Sequence, residues 1–363
     1  MSTDMSVGRE VRGDVSRLAA PTRSSVVRVR EVIQETADAC SFVIDPDRDA
    51  AEAFEYRAGQ FLTIRVPDAG SGSARCYSLS SSPHSDAALK FTVKRVVGGH
   101  GSNWLCDSVS AGDELEVLRP AGVFTPKSLD ESVVLVAGGS GITPVISIAK
   151  SILTAGSGEV VLLYANRGED AVIFAEELRA LEDRYAGRLI VVHILQSLQG
   201  YPSRQLLSWL LRPFTDREIY ICGPTLLMDL ASEICKEAEI PACRIHVERF
   251  ASLQQDPFAP VGIENSADAA ADDVVSTARV SIDGEDHIVP WKASHKLLDA
   301  MVSAGIDAPY SCREGSCGAC SFKLTAGEVR MAHNEILTEE DIADGYILTC
   351  QAEPVSDEVA IQY

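Results

Sequence analysis

Long apolar runs are missing from this 363-residue chain. The longest apolar stretch, around Val133 to Leu153, is broken by Gly138-Gly139-Ser140-Gly141 and by Lys150, and no apolar h-region follows the first charges at the N-terminus. Neither a signal peptide nor a membrane span is expected. Basic residues are scarce too: 32 Lys and Arg stand against 53 Asp and Glu, a net charge of −21. That balance speaks against a general nucleic-acid or anionic-membrane surface and for a protein partner with a basic patch, although acidity also serves solubility. No pairing pattern joins Cys40, Cys76, Cys106, Cys222, Cys235 and Cys243. A disulfide framework is therefore not indicated, and a reducing cytoplasm fits these thiols best.

The other four cysteines are spaced. Cys312, Cys317 and Cys320 form a C-x4-C-x2-C run, and Cys350 follows a strand and a turn later, which is the plant-type spacing for a [2Fe–2S] cluster. The loop from Pro309 to Cys320 is rich in small residues, so its backbone N–H groups are free to point at thiolates and sulfides. Zinc is the other reading of clustered cysteines, but it usually takes two C-x2-C pairs or histidines, and a disulfide pair belongs in small secreted domains. Around the loop, Ala278 to Ile282 and Glu285 to Val289 read as a hairpin about Asp283-Gly284, and Lys296 to Ala304 as a helix. This is a ferredoxin-like β-grasp order in an α+β unit.

The length predicts a multidomain chain of two or three compact units. Residues 1–24 mix Ser, Thr, Asp, Arg and Gly without periodicity and are expected to be a disordered arm. Val26 to Val32, Ser41 to Ile44, Gln60 to Val66, Leu89 to Val96 and Glu114 to Leu118 are short β-rich runs, which predicts an antiparallel β-barrel over 25–128. From Ser132 apolar strands (Val133 to Ala137, Val160 to Tyr164, Leu189 to Leu195, Glu218 to Cys222) alternate with amphipathic segments. That alternation predicts an α/β doubly wound domain over 129–250. Residues 251–275 have little to pack and read as a linker to 276–363. This last unit holds 15 acidic against 6 basic side chains, a net −9, against −12 for the three-times-longer remainder. Negative charge is thus concentrated beside the cysteine loop, where a docking partner would approach; a solvated acidic face is the plainer alternative.

Arg75-Cys76-Tyr77-Ser78, placed after Gly59-Gln60-Phe61, resembles the R-x-Y-S flavin signature of the ferredoxin–NADP reductase superfamily. Arg75 can pair with a flavin phosphate, Tyr77 can pack on the ribityl or isoalloxazine, and Ser78 can hydrogen-bond the flavin edge. Alone, these residues would fit any strand of alternating polarity. Val93-Lys94-Arg95 and Gly98-Gly99-His100-Gly101-Ser102-Asn103 follow, at the place where that superfamily closes a glycine turn and helix start over the pyrophosphate. Gly101 and Ser102 at a helix N-terminus would make an anion site, and a second phosphate favours FAD over FMN. Trp104 is read as packing.

Val133 to Ala137 leads into Gly138-Gly139-Ser140-Gly141-Ile142-Thr143-Pro144, a strand, glycine-rich turn and helix start that signals dinucleotide binding less strongly than a full G-x-G-x-x-G. Ile221-Cys222-Gly223-Pro224 ends a later strand, where doubly wound folds place ligands. In the resembling superfamily this turn lies by the nicotinamide with Thr143 on its other side. Cys222 has no His or Asn arrangement for nucleophilic work and reads as nicotinamide lining, with a buried structural thiol as the alternative. Phe250 stands where related reductases carry a Glu-x-Phe near the flavin; core packing is the equal alternative. Cys222, Thr143 and Phe250 are thus the candidates beside the reacting rings. Tyr164-Ala165-Asn166-Arg167-Gly168-Glu169-Asp170 stands where the adenosine ribose is read. Arg167 could grip a 2′-phosphate there, while Glu169 and Asp170 would repel it, which favours NADH.

The order of flavin unit, nicotinamide unit and C-terminal plant-type ferredoxin resembles the reductase components of bacterial multicomponent oxygenases. Within these, Ala74 to Leu79, Ser102 to Asp107, Leu163 to Arg167, Leu297 to Ala300 and Ser311 to Gly315 look most like the 3-ketosteroid 9α-hydroxylase reductases; the phenylacetyl-CoA epoxidase reductases share the architecture. The resemblance implies an oxidoreductase of steroid degradation that passes electrons from NADH through FAD and the [2Fe–2S] cluster to a terminal oxygenase of Rieske type. A self-contained NAD(P)H oxidase or quinone reductase, and an iron–sulfur redox sensor, are the competing readings.

Overall fold

The computed structural model describes residues 24–46, 52–67, 73–250, 252–259 and 274–363. The expected arm, apart from Ser24, and most of the expected linker lie outside them.

Three sheets follow one another along the chain. The first contains β1 (Ser24–Thr36), β2 (Ala39–Pro46), β3 (Phe61–Val66), β4 (Ser73–Ser78), β5 (Leu89–Lys94) and β6 (Glu114–Leu118), in the order β4-β3-β6-β1-β2-β5, with every ladder antiparallel. No ladder joins the edge strands β4 and β5: just past β4, Leu79 forms an isolated bridge with Phe91 and the Ser80 and Ser81 N–H groups donate to the Lys90 carbonyl, so the expected barrel is an antiparallel sheet with no ladder closing it among the described residues. Its core gathers Phe42, Leu62, Ile64 and Phe91, with Trp104 packed against it as expected. One helix, α1 (His100–Ser108), follows β5.

The second sheet is parallel: β7 (Val133–Gly138), β8 (Val160–Asn166), β9 (Leu189–Leu195), β10 (Glu218–Cys222) and β11 (Ile245–Glu248), ordered β11-β10-β7-β8-β9. β7 is buried throughout, and its alternate residues serve two cores. Val133, Leu135 and Ala137 face α2 (Ile142–Ala155) and α3 (Ala175–Arg184). A short helix, α4 (Gln196–Gln199), follows β9; Val134 and Val136 pack with α5 (Arg204–Leu211) and α6 (Thr225–Glu237).

The third sheet is mixed. β12 (Val274–Ile282) and β13 (Glu285–Lys292) form the expected hairpin, with Asp283 at φ 52° and Gly284 at φ 80°, the left-handed pair that a tight hairpin turn requires. Then come α7 (Leu297–Ser303), β14 (Ser321–Ala326), β15 (Val329–Met331), α8 (Glu339–Ala343), β16 (Tyr346–Leu348), β17 (Ala352–Pro354) and β18 (Glu358–Gln362). The order is β13-β12-β18-β14-β16, with β12 and β18 parallel and β15 pairing only with β17. Trp291, Met301, Phe322 and Leu348 fill its core. The described part of the expected linker does pack: Phe258 is 6% exposed and joins this core, and the Arg65 guanidinium lies 4.4 Å above its ring. Composition hid this contact because one aromatic is enough to anchor a short polar segment. Among the described residues no helix is long and apolar enough to cross a membrane.

Candidate functional site

β4 lies antiparallel on β3, with Arg75 opposite Ile64, Tyr77 opposite Leu62 and Ser78 opposite Phe61. Arg75 and Tyr77, two residues apart, share a face, and the first turn of α1 crosses it. A Cβ on Gly101 would lie 2.9 Å from Arg75 Cγ and 3.4 Å from the Tyr77 hydroxyl. Only glycine lets the helix start so close to that pair. Ser102 Oγ accepts the Val96 N–H at 3.1 Å, and Asn103 Nδ2 donates to the Val96 carbonyl at 3.2 Å, which folds the turn at Gly98 (φ 71°) back onto the helix. Gly99 caps α1 without a side chain, so first-turn N–H groups are left for an anion. Burial raises the Tyr77 phenol above its usual range, so it stays a neutral donor. Ser78 is buried at the end of β4. The guanidinium, phenol and helix start thus form one cradle, which fits the phosphate-to-ribityl part of a flavin dinucleotide. Val93 packs in the first core, so only its main chain can face a ligand.

The two turns of the second sheet interlock. β10 pairs with β7, with Cys222 opposite Ala137, and the glycines past each strand touch. A Cβ on Gly141 would fall 2.1 Å from the Cys222 carbonyl oxygen, and one on Gly138 would fall 2.6 Å from Pro224 Cδ. A Cβ on Gly223 would lie 2.9 Å from the Gly138 backbone nitrogen. Side chains are therefore excluded, and a ligand crossing the carboxyl edge meets backbone N–H groups and the start of α2. Thr143 Oγ1 donates to the Ser140 carbonyl at 3.0 Å and is buried, bracing the turn. Cys222 is fully buried, and its thiol is raised well above its usual range by burial and then by Glu248. It is no nucleophile. Phe250 is 49% exposed, which excludes the core-packing alternative.

Lys94 leaves β5 toward the same edge, its Nζ 3.9 Å from where a Gly139 Cβ would be. At the end of β8, Asn166 is 7% exposed, and neither its Nδ2 nor its Oδ1 has a partner. A buried amide with both ends free is rare in a finished core and common where a ligand supplies the missing bonds. Arg167, next along, is tied instead to Asp38.

The cysteine loop runs from α7 to β14. Arg313 (φ 60°), Gly315 (φ 79°) and Gly318 (φ 71°) all adopt left-handed backbone; for an arginine this conformation is held by its surroundings. Those surroundings are Asp299, the Tyr310 ring at 5.5 Å, the Ala259 carbonyl, and Gln351, whose Nε2 donates to the Arg313 carbonyl at 3.0 Å. Among the described residues no three His, Cys, Asp or Glu side chains converge as a single metal ion would need. The four thiols instead fall into two hydrogen-bonded pairs. Cys317 donates to Cys312, which pushes Cys312 down to about 5 and Cys317 up; the Glu314 N–H adds a bond to the Cys312 sulfur at 3.4 Å. Cys350 donates to Cys320, which lowers Cys320 and raises Cys350. Two close pairs of thiols suit two irons with two cysteines each, and fit poorly to one tetrahedral zinc.

Sequence reasoning missed Asp38, Glu248, Thr63 and Ser311. Thr63 and Ser311, both fully buried, share a hydrogen bond of 2.6 Å across 248 residues of chain, and Thr63 Oγ1 lies 3.4 Å from Cys76 Sγ. Burial raises the Glu248 carboxyl to about 7 although the residue as a whole is partly exposed. Only its place in Glu248-Arg249-Phe250 offered any sequence signal.

Comparison with known proteins agrees with this layout. An oxidoreductase FAD-binding domain matches residues 26–125, an oxidoreductase NAD-binding domain 135–233, and a 2Fe-2S iron-sulfur cluster binding domain 280–355. The 3-ketosteroid-9-alpha-monooxygenase ferredoxin reductase component of Rhodococcus rhodochrous is 50% identical, over 94% of this chain and 97% of that protein. Its counterpart in Mycobacterium tuberculosis is 47% identical over 93% and 95%. Among solved structures, phthalate dioxygenase reductase, described as a modular structure for electron transfer from pyridine nucleotides to [2Fe–2S], superposes with a TM-score of 0.56 at 26% identity, covering 94% of this chain and all of that one. With its cradle, its interlocked turns and its paired thiols in that order, the chain belongs to the family of FAD-, NAD- and 2Fe-2S-dependent oxidoreductases that includes the ferredoxin reductase components of 3-ketosteroid-9-alpha-monooxygenases.

Proposed function

We propose that this protein is the NADH-dependent reductase of a bacterial 3-ketosteroid 9α-hydroxylase, serving a Rieske-type terminal oxygenase in a reducing cytoplasm. The reading rests above all on one observation: Thr63, on β3 opposite Cys76 of the flavin-motif strand β4, hydrogen-bonds Ser311 beside the first cluster cysteine at 2.6 Å, so the two redox sites belong to one packed unit. The functional units are 25–128, 129–250 and 276–363 with 251–275 between them, the first a flavin barrel and the third a β-grasp.

Bound FAD would supply hydride acceptance and one-electron release, and a bound [2Fe–2S] cluster one-electron transfer. The chain's own residues bind and orient. Arg75 and the N–H groups at Gly101 and Ser102 hold the flavin phosphates, while Tyr77 and Ser78 hold the ribityl and ring edge. Gly138, Gly139 and Gly141 with Gly223 and Pro224 bring the pyrophosphate and nicotinamide against backbone, flanked by Thr143 and Cys222. Phe250 covers the flavin face with the ring area that is otherwise exposed, and Val93 and Lys94 line the dinucleotide with main chain and ammonium. Asn166 uses its free amide on the nucleotide. Cys312, Cys317, Cys320 and Cys350 ligate the irons. The acidic surface of 276–363 then receives the oxygenase.

The test is anaerobic stopped-flow absorbance with NADH and, separately, NADPH, followed by addition of a 3-ketosteroid oxygenase. Bleaching of flavin, reduction of the cluster and reoxidation by that oxygenase are expected, with the last step slowing as salt rises through about 0.1 to 0.5 M. Reduction without reoxidation would discard the steroid partner and keep the reductase; a flat salt profile would discard the acidic docking face.

A further inference from the structure

The turn between β1 and β2 reaches from the first sheet to the second at one carboxylate. Asp38 Oδ2 lies 2.6 Å from Arg167 Nη2 and 3.7 Å from Lys94 Nζ, while its Oδ1 bonds Thr36 Oγ1 at 2.9 Å. The Asp38 carbonyl accepts the Arg95 N–H at 2.7 Å, which fixes the turn against β5. Burial would raise this carboxyl, but Thr36, Lys94 and Arg167 outweigh it and lower it, so it is ionised at neutral pH. Arg167 immediately follows the last residue of β8, and its side chain is 70% exposed. The remaining charges at this corner are Glu169 and Asp170, and Asp170 acts on Lys94 from the nicotinamide side.

A doubly wound fold reads the adenosine 2′ position at the end of the strand after the glycine turn, and an arginine there accommodates a 2′-phosphate. The arginine is present in this chain, but one nitrogen of its fork is held by a carboxylate from another domain. A 2′-phosphate would have to share Arg167 with the ionised Asp38, like charge beside like charge. A bare 2′-hydroxyl meets no such obstacle. The unpartnered amide of Asn166, one residue away, marks the same corner as a place where a ligand completes the bonding.

We propose that Asp38 is a specificity-determining residue which, by holding Arg167, makes the site select NADH against NADPH. The inference rests on the NADH reading above and adds its cause: selection comes from the flavin domain's hairpin, through an arginine that would otherwise favour the phosphorylated cofactor. Asp38 acts through Arg167 and touches no reacting atom.

The experiment uses the flavin- and cluster-loaded protein with ferricyanide as acceptor and measures kcat/KM for NADH and NADPH, together with calorimetric binding of 2′,5′-ADP. Asp38→Asn is expected to raise the NADPH-to-NADH specificity ratio, and the affinity for 2′,5′-ADP, by about tenfold, the scale of one freed charge-assisted contact. Adding Arg167→Ala should erase that gain. If Asp38→Asn fails to retain flavin, Asp38→Ser keeps a short polar turn residue and makes the same test. A ratio unchanged in a flavin-retaining Asp38 variant, or a gain that survives Arg167→Ala, overturns the proposal. A wild-type protein that prefers NADPH overturns the NADH reading itself, a result visible before any variant is made.

Discussion

Two seams hold the flavin sheet to its neighbours, and they are built differently. On the nicotinamide side the seam is polar and deep. Lys150, 3% exposed in α2, reaches Asp86 and Glu177 at 2.8 Å each, and Ser82 meets Ser151 at 2.7 Å. Ser147 donates to the Ser81 carbonyl at 2.5 Å. On the ferredoxin side Ala74 and Leu118 slot into the third core, Gly318 leaves room for Val123, and one buried hydroxyl pair, Thr63–Ser311, is reinforced at the rim by Arg119–Asp307. Hydride transfer needs two rings in contact and one orientation, and a buried cation with two fixed carboxylate partners resists sliding. Electron transfer tolerates a gap, and a small apolar seam held by one buried hydroxyl pair and a rim ion pair is sufficient. The chain spends its buried charge where the chemistry is least tolerant of misplacement.

The comparison can be broken from either side. Cys350→Ser should abolish the cluster absorbance while flavin reduction by NADH persists, because the nicotinamide seam does not depend on the third sheet; loss of both in stopped-flow would mean the seams are not independent. Next in size, Lys150→Met takes the shared cation from Asp86 and Glu177, leaves Glu177 only Lys90 at 3.3 Å, and, with both carboxylates about a third exposed, should cost about 2 kcal/mol in denaturant unfolding. A loss below about 1 kcal/mol would show that water already screens the triad.

Glu248 pairs in register with Cys222 on the nicotinamide turn. With its folded carboxyl near 7 against an ordinary 4.5, the folded state keeps a proton that the unfolded chain has released. Stability contributed by this group is present below about 4.5 and is lost as pH rises to about 7. Glu248→Gln should therefore gain on the wild type by about 2 kcal/mol across that window; parallel stability curves for the two proteins would exclude the shift. On the ferredoxin side, Thr63→Val strands the Ser311 hydroxyl and should cost about 1 kcal/mol while slowing flavin-to-cluster transfer and leaving the hydride step unchanged. Thr63→Val with Ser311→Ala should recover most of the stability, as neither hydroxyl is then left unpaired; no recovery would show the pair was not the contact that mattered. The smallest effect belongs to Arg119→Ala, under about 1 kcal/mol and smaller still in high salt, since Arg119 and Asp307 are both partly exposed.

Much of this was legible in the residues. Cysteine spacing announced the third unit because ligand geometry sets the interval between thiolates. Glycine runs announced the turns because no Cβ fits where Gly141 meets Cys222 or where Gly101 meets Arg75. The apolar alternation of β7 to β10 foretold a sheet covered on both sides. Less legible were strand ends, the loose closure between β4 and β5, and the anchoring of Phe258, where a single contact distant in sequence decides the outcome.

By itself the sequence determined the order of the three units, the glycine turns and the thiol spacing, because each depends on local backbone freedom or on intervals counted along the chain. The tertiary structure alone decided that Asp38 would occupy Arg167, that Lys150 would be buried between two carboxylates, and that Thr63 would find Ser311. These are pairings between residues far apart in the chain, and their partners are chosen by how the sheets pack, which no short-range pattern encodes.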